Sequence, residues 1–204
     1  MYYFRNDLQS KHAVNINVAS KKIRMGLNES SCNFWEKLLP EFLQKMNKVE
    51  LNRYFNNITS ELRSKLADYA GVPEECLAFG NGADEMLYYI FTAVRNDDAS
   101  FAVSLAPSYF DYRSYCDAVG LGISFLSLQP DFDFSLPSFL ELTDHPNCKL
   151  VILCNPNNPT GNLLDEDKII EVLKANPTRP VLIDETYFEF SDKTFVNLLH
   201  DFPN

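Results

Sequence analysis

The apolar positions along the chain follow two different periods. Between Asn33 and Lys48 they recur every fourth residue, at Phe34, Leu38, Phe42 and Met46, which is the spacing of one face of a helix. A second helix is expected over Ser60 to Ala70, where Leu62, Leu66 and Tyr69 recur and Gly71 supplies a stop. Beyond Gly71 the apolar residues come in short unbroken runs. "CLAF", "SFAVSLAP", "GISFLSLQ", "KLVILCNP" and "PVLIDETY" read as five strands. Helix-sized stretches separate them, among them one opened by acidic residues after the glycine turn of "GNGADE", Tyr109 to Val119 and Asp165 to Asn176. Strands alternating with helices predict a parallel α/β sheet. The run Leu150 to Cys154 is apolar at every position, so its strand is expected in the sheet interior, covered on both faces.

The first 27 or so residues carry little periodicity and read as an arm. The expected organisation is therefore an arm and helix over 1–50 and an α/β domain over 51–204, with no repeat or linker. Composition fits a globular chain: 46% hydrophobic and 23% charged residues. The formal charge of −10 argues against nucleic acid, whose binding rests on Lys and Arg. No apolar run reaches membrane-spanning length, and the polar amino terminus does not read as a secretory signal, so the cytoplasm is the expected location. Cys32, Cys76, Cys116, Cys148 and Cys154 show no C-x-x-C pair, and His12, His145 and His200 show no ligand spacing, so neither a disulfide framework nor a metal is expected.

In parallel sheets ligands bind beyond the carboxyl ends of the strands. Four sequences fall at that edge: "GNGADE", "APSYFDY", "CNPNNPTG" and "DETYFEF". Singly, each reads as a glycine turn, a strand-end turn, a proline-stiffened loop or a solvated strand end. Together they assemble a chemistry. Gly80 to Asp84 opens a helix whose free N–H groups and dipole suit one phosphate, while Glu85 stands where a dinucleotide fingerprint needs its third glycine. Tyr109 offers a flat face for a ring. Pro156 and Pro159 hold the loop extended and display Asn158, an amide donor for a ring oxygen. Tyr187 can donate to the same oxygen. Asp184, closing its strand, places a carboxylate against a protonated ring nitrogen. These needs are those of pyridoxal phosphate, whose electron sink works with the ring nitrogen protonated.

The chain resembles the fold type I pyridoxal-phosphate aminotransferases of class I/II, and within them the histidinol-phosphate aminotransferases, through "LNES", "RY", "ELRSKLADYAGV", "GNGADE", "APSYFDY", "CNPNNPTG" and "DETYFEF". The resemblance implies the three-layer, mostly parallel sheet of the aminotransferase large domain, here incomplete. It implies that Ala83 and Asp84 bind the cofactor phosphate, Tyr109 stacks on the pyridine, Asn158 and Tyr187 bond its phenolic oxygen and Asp184 pairs with its nitrogen. Tyr54 would reach the phosphate of a second copy, since family sites form in a homodimer. The substrates implied are an amino acid and a 2-oxo acid. "LNESSCNFW" lacks the proline usual after Asn-Glu, and "RYF" lacks the usual Pro-Asp, so the particular substrate is left open. The Schiff-base lysine and the carboxy-terminal small domain of the family are expected beyond Asn204. The alternatives are a decarboxylase or carbon-sulfur lyase on the same fold, or a non-catalytic binding unit. A truncated sheet would also leave the strand ending in Asp184 with an open edge, which invites association.

Overall fold

The structure is a computed structural model that describes residues 5, 26–50, 52–54 and 60–204. Most of the expected arm, and the "FNNIT" stretch over 55–59 before the second helix, lie outside the described residues. The chain divides into two compact units, residues 1–62 and 63–204.

In the first unit, helix α1 (Trp35–Met46) carries the four-residue apolar spacing, with none of its residues buried. Trp35 and Phe42 meet edge to face at 4.7 Å, and Glu41 pairs with Lys45 one turn on. Helix α2 spans Ser60–Ala70, with all but its first three residues in the second unit.

The second unit holds a four-stranded parallel sheet with helices on both faces. Its elements are α3 (Gly82–Val94), β1 (Phe101–Ala106), α4 (Asp111–Val119), β2 (Gly122–Ser127), α5 (Leu136–Thr143), β3 (Cys148–Cys154), α6 (Glu166–Ala175) and β4 (Val181–Asp184). The strand order is β2-β1-β3-β4, so the all-apolar strand β3 is interior, as its composition predicts. Alternation along β3 assigns its side chains to two cores. Leu150, Ile152 and Cys154 pack with Leu87 and Phe91 of α3 and Tyr112 and Cys116 of α4. Val151 and Leu153 pack with Phe139 of α5 and Ile169 and Val172 of α6. The result is the expected three-layer arrangement, with α3 and α4 on one face and α5 and α6 on the other.

Four of the five expected strands form. The fifth, "CLAF", does not: Leu77 keeps extended angles, φ −105° and ψ 131°, but 77–80 pairs with no strand of the sheet. Extended conformation becomes a strand only when its N–H and C=O groups find a ladder. Here Arg63 takes the Leu77 carbonyl instead, at 3.2 Å. Helix α5 is an element that the pattern of apolar runs does not announce. It starts at Ser135, whose hydroxyl caps it, and carries Pro137 in its first turn. The outer edge of β4 is open along most of its length, but the Val181 N–H donates to the Asn204 carbonyl at 2.9 Å, so the returning chain covers its beginning.

Helix α6 begins where Asp165 accepts the Lys168 N–H at 3.1 Å. Replacing Asp165 with alanine is expected to cost about 1 kcal/mol, the usual worth of such a cap. Urea unfolding monitored by circular dichroism measures it, and an unchanged midpoint would remove the cap from the account of this helix.

Candidate functional site

Parallel alignment brings the carboxyl ends of the strands to one edge, and register sets which residues meet there. Cys154 of β3 lies opposite Asp184 of β4, and the ladder extends one residue further, where the Asn155 N–H donates to the Asp184 carbonyl at 2.9 Å. By alternation Leu182 and Asp184 share a face, and Leu182 packs in the core under α3 and α4. Asp184 therefore emerges on the side from which α3 presents its amino terminus. Between them lies a cavity of about 260 Å³, lined by Gly82, Ala83, Asp84, Leu87, Tyr109, Cys154, Asn158, Asp184, Thr186 and Tyr187. Six of the seven residues singled out in the sequence, Ala83, Asp84, Tyr109, Asn158, Asp184 and Tyr187, line this one space. The seventh, Tyr54, belongs to the first unit, where its side chain is fully exposed.

The floor of the cavity is the start of α3. Glu85 reaches back to accept the Asn81 N–H at 2.6 Å and its side-chain amide at 3.1 Å, which is the reason for an acidic residue at the position that would be glycine in a dinucleotide site. These bonds hold the Glu85 carboxyl below its ordinary range. A Cβ at Gly80 would stand 2.9 Å from the Glu85 carboxylate and 2.8 Å from the Met86 sulfur, so these side chains would have to shift to admit one. Gly82, at φ +80°, makes the turn into the helix, a conformation that glycine adopts without strain. The first N–H groups of a helix have no partner within it, so residues 82–84 present donors and the positive dipole end to the cavity.

The walls are held by polar bonds among the lining residues and to the side chains behind them. The Tyr109 hydroxyl lies 3.0 Å from Asp84 Oδ1 and 3.3 Å from Asp111 Oδ2 and donates to them in a fork. Burial, then the bond to Asp84, raise this phenol above its usual range. Tyr115 is pushed up to about 12, by burial and then by the Asp84 charge. Two phenols thus turn towards the Asp84 carboxylate. Asp184 is held on both oxygens: Oδ2 accepts from the Tyr112 hydroxyl at 2.6 Å, and Oδ1 accepts from the Thr186 N–H at 3.1 Å and hydroxyl at 2.6 Å.

The asparagine-rich loop after β3 divides its labour. Asn155 is buried and its Oδ1 accepts the Leu164 N–H at 2.8 Å, closing the loop onto the approach to α6. Asn157, also buried, donates from Nδ2 to the Pro107 carbonyl at 3.0 Å and to the Thr160 hydroxyl at 2.6 Å, while its Oδ1 accepts from Ser108 at 2.8 Å. Asn158 alone of the three lines the cavity. Two asparagines make the loop stiff, and the third is the one displayed.

Sequence reasoning missed Tyr112, Thr186 and Cys154. Tyr112 lies inside "APSYFDY", and its signal was a phenol four residues before Cys116 on the buried face of a predicted helix. Thr186 follows Asp184 at the spacing of a local side-chain turn. Cys154 had no chemical signal beyond its place at the end of an apolar run. Among the described residues, no cluster of His, Cys, Asp and Glu has metal-binding geometry. None of the described helices is long and apolar enough to cross a membrane.

The family model for aminotransferase class I and II matches residues 20–202. A histidinol-phosphate aminotransferase of Thermococcus gammatolerans is 33% identical over 183 residues, which are 90% of this chain and 52% of that protein. The chain thus spans about half the length of the curated relatives it matches. Among solved structures, the histidinol-phosphate aminotransferase of Clostridium acetobutylicum superposes with a TM-score of 0.69 at 21% identity, covering 82% of this chain and 49% of that one. The L-threonine-O-3-phosphate decarboxylase of Porphyromonas gingivalis superposes with a TM-score of 0.59 at 25% identity, covering 76% and 46%.

Proposed function

The chain belongs to the class I and II aminotransferases, and from that premise we propose that it forms the cofactor-binding part of a pyridoxal-phosphate enzyme that moves an amino group between an amino acid and a 2-oxo acid. Histidinol phosphate or a related amine is the proposed donor, because the sequence relatives carry that activity in their names. The observation that carries the reading is the convergence of Ala83, Asp84, Tyr109, Asn158, Asp184 and Tyr187 on one cavity. Its donor set fits the cofactor. The N–H groups opening α3 take a phosphate, the Tyr109 ring covers a face, Asn158 and Tyr187 offer donors to a phenolic oxygen, and Asp184 is acceptor-only towards a ring N–H. When bound, pyridoxal phosphate supplies an electron sink for the bonds at the amino acid's α-carbon. This chain's residues bind it, orient it and keep its nitrogen protonated.

The proposal extends to a homodimer in which Tyr54 of one copy reaches the phosphate site of the other, and to the cytoplasm, which suits the five free thiols. It also assigns residues 1–50 to an arm and 51–204 to the large domain. Spectrophotometric titration with pyridoxal phosphate tests the central reading, and no saturable change in the cofactor spectrum would overturn it. The second reading, a decarboxylase, is favoured by the likeness to the P. gingivalis enzyme. Cofactor-binding residues do not select which bond breaks. Product analysis on a panel of amino acids separates the two, since only one releases carbon dioxide.

Among the described residues, no lysine lines the cavity. Lys193 is exposed beyond the strand end, Lys149 bonds the Pro146 carbonyl at the far end of β3, and Lys168 is engaged by Asp133 and the Phe134 carbonyl. Borohydride reduction of the cofactor-loaded 204-residue chain is therefore expected to leave no stoichiometric pyridoxyl adduct on Lys193. Peptide mass spectrometry reads this, and such an adduct would show that the loop brings its amine to the cavity.

A further inference from the structure

Tyr112 stands out in the core under α3 and α4. Its neighbours there are Leu87, Phe91, Ala102, Leu150, Ile152 and Cys116, and it is wholly buried among them. A phenol in such a place must put its O–H on an acceptor, because an unpaired buried hydroxyl is costly. The acceptor is Asp184 Oδ2, at 2.6 Å. The other carboxylate oxygen is taken by the backbone and hydroxyl of Thr186. Both oxygens thus have fixed donors, these come from different parts of the fold, and Oδ2 keeps one lone pair available. A carboxylate free to rotate would meet a ligand in many orientations. This one is held in a single plane.

We propose that Tyr112 is a positioning residue: by donating to Oδ2 it fixes the Asp184 carboxylate, aimed into the cavity, so that it holds the proton on the nitrogen of a pyridine-type ring. The inference rests on the pyridoxal-phosphate reading of the site. Burial, together with the charges of Cys154 and Asp184, pushes the Tyr112 phenol well above its ordinary range, so it remains a donor at all working pH values. The other titratable groups facing this carboxylate are Cys154 from β3, Asp84 from α3, Tyr109 from the turn before α4 and Tyr187 beyond β4.

The test uses pyridoxamine 5′-phosphate, which has the ring and phosphate without the aldehyde and so binds without a lysine. Following the ultraviolet spectrum of the bound ligand against pH reports the titration of its ring nitrogen. In the wild-type chain that pKa is expected above the value for the free ligand, and in Asp184→Asn the elevation is expected to vanish. Tyr112→Phe removes one oxygen and no carbon, so the apolar packing stays, and circular dichroism with a thermal melt checks it. Its ring nitrogen is expected to titrate roughly half to one pH unit below wild type, with affinity at neutral pH reduced roughly three- to tenfold. A merely structural tyrosine would change the melt and leave the titration alone. Wild-type titration in Tyr112→Phe, alongside a fall in Asp184→Asn, overturns the positioning role while the cofactor reading survives. No effect of Asp184→Asn overturns the nitrogen pairing and, with it, the inference.

Discussion

Replacing Asp184 with alanine is expected to weaken pyridoxal phosphate binding by roughly 10- to 100-fold, the worth of one charge-assisted hydrogen bond in a half-buried site. The same substitution carries a second cost inside the protein. The Tyr112 hydroxyl loses the acceptor it reaches at 2.6 Å and is left in a core from which it contacts no solvent. An orphaned buried donor costs about 1–3 kcal/mol, so the variant should also melt early. Asp184→Asn separates the two effects. It keeps an oxygen for Tyr112 or Thr186 and loses the negative charge, so its stability should lie nearer to wild type while its affinity stays low. Isothermal titration calorimetry and thermal melts on the three proteins measure both quantities. Equal cofactor affinity in wild type and Asp184→Ala would remove Asp184 from the site.

What could be read in the sequence was whatever depends on local pattern. The all-apolar run of β3 announces an interior strand because both its faces need cover, and both cores take their share of it. The cavity residues were legible because parallel strands bring their ends to one edge, whatever the detailed packing. Local pattern fails where a partner decides. The "CLAF" segment has the composition of a strand and the angles of one at Leu77, but strand identity belongs to a pair, and no other segment of the described residues completes it. Tyr112 failed to stand out for a related reason. Its phenol meets a carboxylate 72 positions away, and that distance closes only when α4 lies across β4's face of the sheet. Glu85 illustrates a motif whose local meaning was visible only by exclusion. It ruled out a dinucleotide fingerprint, and the structure supplies its positive role, the cap on the turn that opens α3.

The neighbouring residues Asn157 and Asn158 are expected to give opposite phenotypes, and this follows from which way each amide faces. Asn157 ties three segments together: the Pro107 carbonyl and Ser108 hydroxyl after β1, and Thr160 within its own loop. Truncating this buried side chain to alanine removes all three bonds, at a cost on the order of 1–3 kcal/mol. Asn157→Asp tests the cause. It keeps the shape and the acceptor for Ser108, but it turns the donor that faces the Pro107 carbonyl into another acceptor, so two oxygens meet where a bond stood. The aspartate variant should therefore be at least as unstable as the alanine variant, which simple loss of volume does not predict. Asn158 lines the cavity and is half exposed. Asn158→Ala should unfold within about 0.5 kcal/mol of wild type, as surface changes usually do. It should nevertheless bind pyridoxal phosphate roughly five- to tenfold more weakly, having lost one hydrogen bond. Urea titrations and cofactor binding on the three variants read the pattern. Loss of stability in Asn158→Ala together with a neutral Asn157→Ala would reverse the assignment of scaffold and contact within this loop.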